Sequence, residues 1–116
     1  MDFSFEKAGQ TGVYVLSGNF IGETDGIPLT EDFSAKLEAG TRQYVIDLSA
    51  LQHINSTGLG VLITLLTKAR KVGGEVVLAE PSTFIRDLLV MTKLHTIFDL
   101  HDERAEAVEA LIEKAD

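Results

Sequence analysis

The chain contains no cysteine, which excludes disulfides, thiolate nucleophiles and cysteine-based metal sites. Positive charge is scarce as well. Ten Lys plus Arg stand against 18 Asp plus Glu, a formal net charge of −8, and such a surface repels phosphate backbones and anionic membranes. Direct binding of nucleic acid is therefore not expected. Met1-Asp2-Phe3-Ser4-Phe5-Glu6 lacks the basic segment and apolar core of a leader, and no apolar run approaches the ~20 residues that cross a bilayer. A cytoplasmic address without membrane insertion is the default expectation. Internal repeats, low-complexity tracts and linkers are missing too, and 116 residues suit one domain spanning the whole chain, since a second would be starved of apolar surface.

What is present is an ordinary globular balance, 45% hydrophobic and 24% charged residues, arranged with clear punctuation. Phe3 and Phe5 alternate with polar neighbours, as do Val13, Val15 and Leu16 after the turn-like Gly9-Gln10-Thr11-Gly12. A hairpin is expected there, closed by Gly18. Asn19 to Leu29 reads as a surface loop with Pro28 as an early helical residue, followed by a helix with the stripe Leu29, Phe33 and Leu37 and a stop at Gly40. Tyr44 to Leu48 is a short buried strand, and Leu59, Leu62, Ile63 and Leu66 recur at helical spacing until Gly73-Gly74. Glu75 to Leu78 gives another buried, parallel-type strand. Pro81-Ser82 opens a helix carrying Ile85, Leu88 and Leu89, Ile97-Phe98 forms a last strand, and Asp102-Glu103 begins a helix presenting Val108, Leu111, Ile112 and Ala115. The fold class is α/β, with a mixed sheet of about five strands and about four helices.

The stretch from Gln43 to Leu78 converges on the hydroxyl of Ser56. A strand ends, the chain turns, and a helix starts close to Ser56, whose hydroxyl is placed to accept from a first-turn amide as an N-cap. Such a turn presents unpaired N–H groups and the positive end of the macrodipole, so an attached anion is stabilised by the backbone. Gly58 and Gly60 sacrifice helix propensity, which points to a close backbone approach or to room for another molecule. Ser56 is then either a plain cap or a group offered for chemistry. The residues alone leave both open.

Asp47-Leu48-Ser49-Ala50-Leu51, Ile54 to Leu62 (INSTGLGVL) and Gly73 to Leu78 (GGEVVL) resemble the signature of anti-sigma factor antagonists, single-domain members of the STAS family. The likeness extends to Phe84 to Leu89 and to Leu94 to Phe98. The resemblance implies a STAS-like fold, with an N-terminal hairpin followed by parallel strands. It also implies that Ser56 is phosphorylated by an anti-sigma factor kinase of the histidine-kinase-like ATPase class. A PP2C-type phosphatase would reverse the modification. Partner contacts are implied for Phe20, Ile21, Gly22, Asn55, Ser56, Thr57, Gly58 and Leu59. ATP is used by the kinase, so no cofactor and no catalysis are expected of this chain, which would act as a monomer or weak dimer. The chain departs from the family pattern at Asn55 and Ile21, where acids associated with kinase docking often stand.

Other chemistries fit less well. A serine hydrolase would need the nucleophile elbow, whose first Gly is replaced by Ile54, and a His brought close from among His53, His95 and His101. No His pair at i, i+4 and no calcium-loop pattern suggests a metal, and the Gly-rich nucleotide loop with its Lys is missing. Lys68, Arg70 and Lys71 suit the C-terminal dipole of their helix. Phe20 and Ile21 are either exposed beside Ser56 or packed in the core. A second STAS function, as regulatory subunit of a phospholipid-transport ABC system, would use the same face without phosphorylation.

Overall fold

In the computed structural model, residues 1–115 are described, with side chains for 1–113. The chain begins with β1 (Asp2–Ala8) and β2 (Thr11–Phe20), paired antiparallel across Gly9-Gln10. Gly9 has φ +65°, the left-handed backbone that a two-residue hairpin connection demands. Three more strands follow: β3 (Gln43–Ile54), β4 (Glu75–Ala79) and β5 (Leu100–His101). The sheet order is β1-β2-β3-β4-β5, and every pairing after the hairpin is parallel. Between the strands run α1 (Gly26–Glu38), α2 (Ser56–Lys71) and α3 (Thr83–Met91), and α4 (Arg104–Ala115) ends the fold.

Strand alternation sorts the side chains into two layers. Tyr14, Leu16, Tyr44, Ile46, Leu48, Val76 and Leu78 face α1, α2 and α3, meeting Leu29, Phe33, Leu62, Leu66, Ile85 and Leu89. Val13, Val45, Val77 and Ala79 face the other way, against Ala107 and Leu111 of α4. The sheet is thus covered on both faces, as parallel strands require. Tyr14 is the hub of an aromatic cluster, with ring centroids 4.8 Å from Phe5, 5.8 Å from Phe3 and 6.0 Å from Tyr44. Its hydroxyl donates to Asp32 at 2.6 Å, and that of Tyr44 to the Thr41 carbonyl at 2.6 Å, so neither buried phenol is orphaned. Burial, reinforced by the Asp32 charge, pushes Tyr44 up to about 12.

Several boundaries differ from the sequence expectation, each for a packing reason. Gly18 does not close β2. It takes φ +81° beside a register irregularity against β3, and the strand continues to Phe20. The loop expected from Asn19 to Leu29 therefore shrinks to residues 21–25, because α1 starts at Gly26. β3 runs on past Leu48 to Ile54, since β2 keeps pairing with it after β4 has ended at Ala79. Ile97 and Phe98 form no strand. A 3-10 turn at Leu94–Thr96 leads into them, Phe98 drops into the core, and the β4 pairing starts at Leu100. On α4 the buried face is carried by Ala107 and Leu111, while Ile112 is exposed. Ala115, expected on that face, lies outside the described side chains.

Candidate functional site

The prolonged β2–β3 pairing positions the site. Phe20 and Ile54 are register partners at the end of the two strands, so the chain leaves both strands side by side. Asn55 ties the two exits together: its amide N–H donates to the Phe20 carbonyl at 3.4 Å, and its Nδ2 donates to the Ile21 carbonyl at 3.0 Å. Its Oδ1 accepts from the Gly58 amide at 3.1 Å. The N-cap of α2 is therefore Asn55, not Ser56 as expected. The cap residue must keep a non-helical backbone, and Asn55 does so with φ −120° and ψ −172°. Ser56 becomes the first helical residue, exposed to solvent.

This shift frees the hydroxyl. Asn55 satisfies the third amide of the helix and its carbonyl accepts the fourth, from Leu59 at 2.9 Å. The Ser56 and Thr57 amides have no intrahelical acceptor, and the α2 dipole adds positive potential there. Among the described residues, nothing is hydrogen-bonded to the Ser56 hydroxyl. His53, the nearest imidazole in sequence, instead pairs its Nδ1 with Asn19 Oδ1 at 2.9 Å and packs edge-on against Phe84. Among the described residues no imidazole is hydrogen-bonded to the Ser56 hydroxyl.

The sequence-predicted contact residues divide by burial. Ile21, Asn55 and Ser56 are exposed, and Gly22 and Thr57 are half-buried. Phe20, Gly58 and Leu59 are buried, so of the eight residues expected at a partner surface these three lie beneath it, and Phe20 takes the packed alternative. Phe20 points inward opposite Ile54, and Leu59 lies on the core side of α2. Gly58 explains itself: a Cβ there would fall 2.5 Å from the Phe20 carbonyl oxygen and 2.7 Å from Ile54 Cγ1. These three residues seat the exposed ones.

Sequence reasoning missed two features. Asp25 folds its carboxylate back onto the loop, accepting from the Gly22 amide at 2.9 Å and the Ile21 amide at 3.3 Å. The Gly22 hydrogen bond is the main reason its carboxyl is held below the usual range, against a smaller opposing effect of burial. An Asp just before a helix is the only hint of it in the sequence. Phe84 is the second, 55% exposed in the first turn of α3 and in contact with His53. It falls outside the apolar stripe Ile85, Leu88 and Leu89 read for this helix, and the fold sets it beside the β3–α2 turn. Among the described residues no three His, Asp or Glu side chains gather as a metal site would require. No helix among them is long and apolar enough to cross a membrane.

The sequence pattern of the STAS domain matches residues 3–107. A protein of Bordetella bronchiseptica named as an anti-sigma factor antagonist, BtrV, is 32% identical over 82 residues, 71% of each chain. The crystal structure of TM1081 from Thermotoga maritima, similarly named, superposes with a TM-score of 0.86 at 23% identity, covering 94% of this chain and 93% of that one. SpoIIAA of Bacillus shares the fold in both its phosphorylated and unphosphorylated forms. Each gives a TM-score of 0.74, at 19% and 18% identity, over 94% and 97% of this chain and 98% and 97% of SpoIIAA. With a five-stranded mixed sheet, four helices and a serine-bearing turn opening the second of them, the chain belongs to the STAS domain family, in the group of its anti-sigma factor antagonists.

Proposed function

We propose that this protein works by binding, as the phosphorylatable member of a cytoplasmic partner-switching circuit. Unmodified, the surface around Ser56 docks an anti-sigma factor of the histidine-kinase-like ATPase class and so frees a sigma factor. The kinase transfers the γ-phosphoryl group of ATP to the Ser56 oxygen, the hydroxyl proton is lost, and ADP leaves. A PP2C-type phosphatase hydrolyses the ester and restores the binding form.

The observation that carries this reading is the exposed Ser56 hydroxyl at the first position of α2, with Asn55 already serving as cap. A phosphate there adds about −1.5 to −2 charge and three acceptor oxygens where two first-turn amides point outward. The fold tolerates the modification while the docking surface changes sign and size. SpoIIAA, sharing the fold in both phosphorylation states, supports a mechanism that leaves the fold in place.

Incubation with the cognate kinase and ATP, followed by mass mapping, tests the assignment. Label is expected on Ser56 and absent from Ser56→Ala; label retained by that variant would move the site elsewhere. Ser56→Asp is expected to bind the kinase at least tenfold more weakly than Ser56→Ala, a loss of about 1.4 kcal/mol. Equal binding of the two would refute release by charge.

A further inference from the structure

Helices α1 and α2 approach closely where Gly26 meets Val61; a Cβ built on Gly26 would lie 2.6 Å from a Val61 methyl carbon. Beside that contact an open groove of about 250 Å³ is lined by Glu23, Gly26, Ile27, Thr30, Glu31 and Val61. The walls are mainly apolar, and Ile27 leaves 52% of its surface exposed. Glu23 and Glu31 flank this apolar surface, and among the described residues neither takes part in a hydrogen bond or an ion pair. The groove adjoins the Ser56 surface from two directions. Thr57 lies one turn before Val61 on α2, and Glu23 belongs to the same loop as Ile21.

We propose that this groove is a second anchor for the partner that docks at Ser56, and that it receives a partner segment in which an aliphatic side chain sits beside a Lys or Arg. The proposal rests on the function inferred above and names the chemistry of its partner. Apolar walls take the aliphatic group, and the two free acids complement the cation. The groove falls below the ~300–1,000 Å³ of typical small-molecule sites and suits a side chain better than a whole ligand. A second copy of this chain is a poor occupant, because its net charge of −8 opposes the acids at the rim. The larger hollow, about 410 Å³, lies at the far ends of the same helices, carries Lys68 and Lys71, and is three turns of α2 away from Ser56.

The test uses the purified kinase-type anti-sigma factor as probe and leaves Ser56 intact. Ile27→Ser and the double variant Glu23→Gln/Glu31→Gln are titrated calorimetrically at two salt concentrations, with thermal melts as folding controls. Each is expected to bind roughly tenfold more weakly, and the charge variant should show a flatter salt dependence. Since the chain has no cysteine, Thr30→Cys carrying a photo-crosslinker provides an independent readout. It should capture a partner peptide with an aliphatic residue next to Lys or Arg. Wild-type affinity in both variants would overturn the groove and leave the Ser56 function standing. No binding by the wild-type chain would overturn that function and the groove with it. A dimer of this chain that Ile27→Ser dissociates would assign the groove to a second copy and overturn the proposed occupant.

Discussion

Gly58 and Gly60 stand two positions apart in α2 and look equivalent in the sequence, yet their surroundings are opposite. A Cβ at Gly58 meets the Phe20 carbonyl, whereas nothing lies within 4 Å of one at Gly60. Gly58→Ala should therefore destabilise the protein by about 1–3 kcal/mol through overpacking, despite its better helix propensity. Gly60→Ala should stabilise it by about 0.5–1 kcal/mol. Urea denaturation of the pair checks both signs. Asn55 holds the Gly58 amide and the Ile21 carbonyl, so Asn55→Ala should cost about 1 kcal/mol for the lost cap and loosen the 21–25 loop, seen as faster amide exchange there. The place of Ser56 near the helix start was legible from its neighbours, because an apolar periodic run begins immediately after it. That Asn55 rather than Ser56 caps the helix was not. Both side chains are good caps, and the choice falls to whichever keeps an extended backbone at the end of β3.

At the scale of elements, one arginine adds polar ties to the apolar packing of Ala107 and Leu111 that seats α4 on the sheet. Arg104 Nε and Nη2 donate to the buried Asp47 carboxylate at 2.9 and 2.8 Å, its Nη1 reaches Glu6, and its backbone amide donates to Glu80 at 3.0 Å. Burial pushes the Asp47 carboxyl up, but hydrogen bonds from Ser49 and the Arg104 guanidinium together outweigh it and hold the group below the usual carboxylate range. A folded-state value below the unfolded one means that this stabilisation is present above the ordinary carboxylate value, about 4, and is lost as pH falls through the lowered value. Thermal melts should thus decline with acidification below about pH 4, and Asp47→Asn should flatten that decline. Arg104→Met leaves Asp47 buried without its cation and should cost roughly 3 kcal/mol, allowing for the partial exposure of Arg104. Sequence patterning located these elements but not their limits. The central strand was legible through its β-branched core, Tyr44 to Leu48, whereas its extension through Ser49-Ala50 and Gln52-His53 has no apolar pattern and exists because β2 pairs with it.

For the molecule as a whole, 10 basic residues against 18 acidic ones make the surface a poor match for nucleic acid and a good one for a basic partner docking site. Kinase affinity should accordingly fall as ionic strength rises, a trend that titrations in graded salt would show. Introducing the negative charge of Ser56→Asp should leave the melting temperature within about 4 °C, since an anion at a helix start is worth only ~0.3–1 kcal/mol. A larger drop would mean that Ser56 supports the fold after all. By itself the sequence determined the layered α/β class, the helix that begins beside Ser56 and the acidic character of the surface, because periodicity, turn residues and charge act locally or sum over the chain. Only the tertiary structure decided which side chains meet solvent. Phe20 and Leu59 are apolar and inside, Ile21, Ile27 and Phe84 are apolar and outside. That division depends on how long β2 and β3 stay paired and how tightly Gly26 lets α1 approach α2, contacts between segments far apart in the chain.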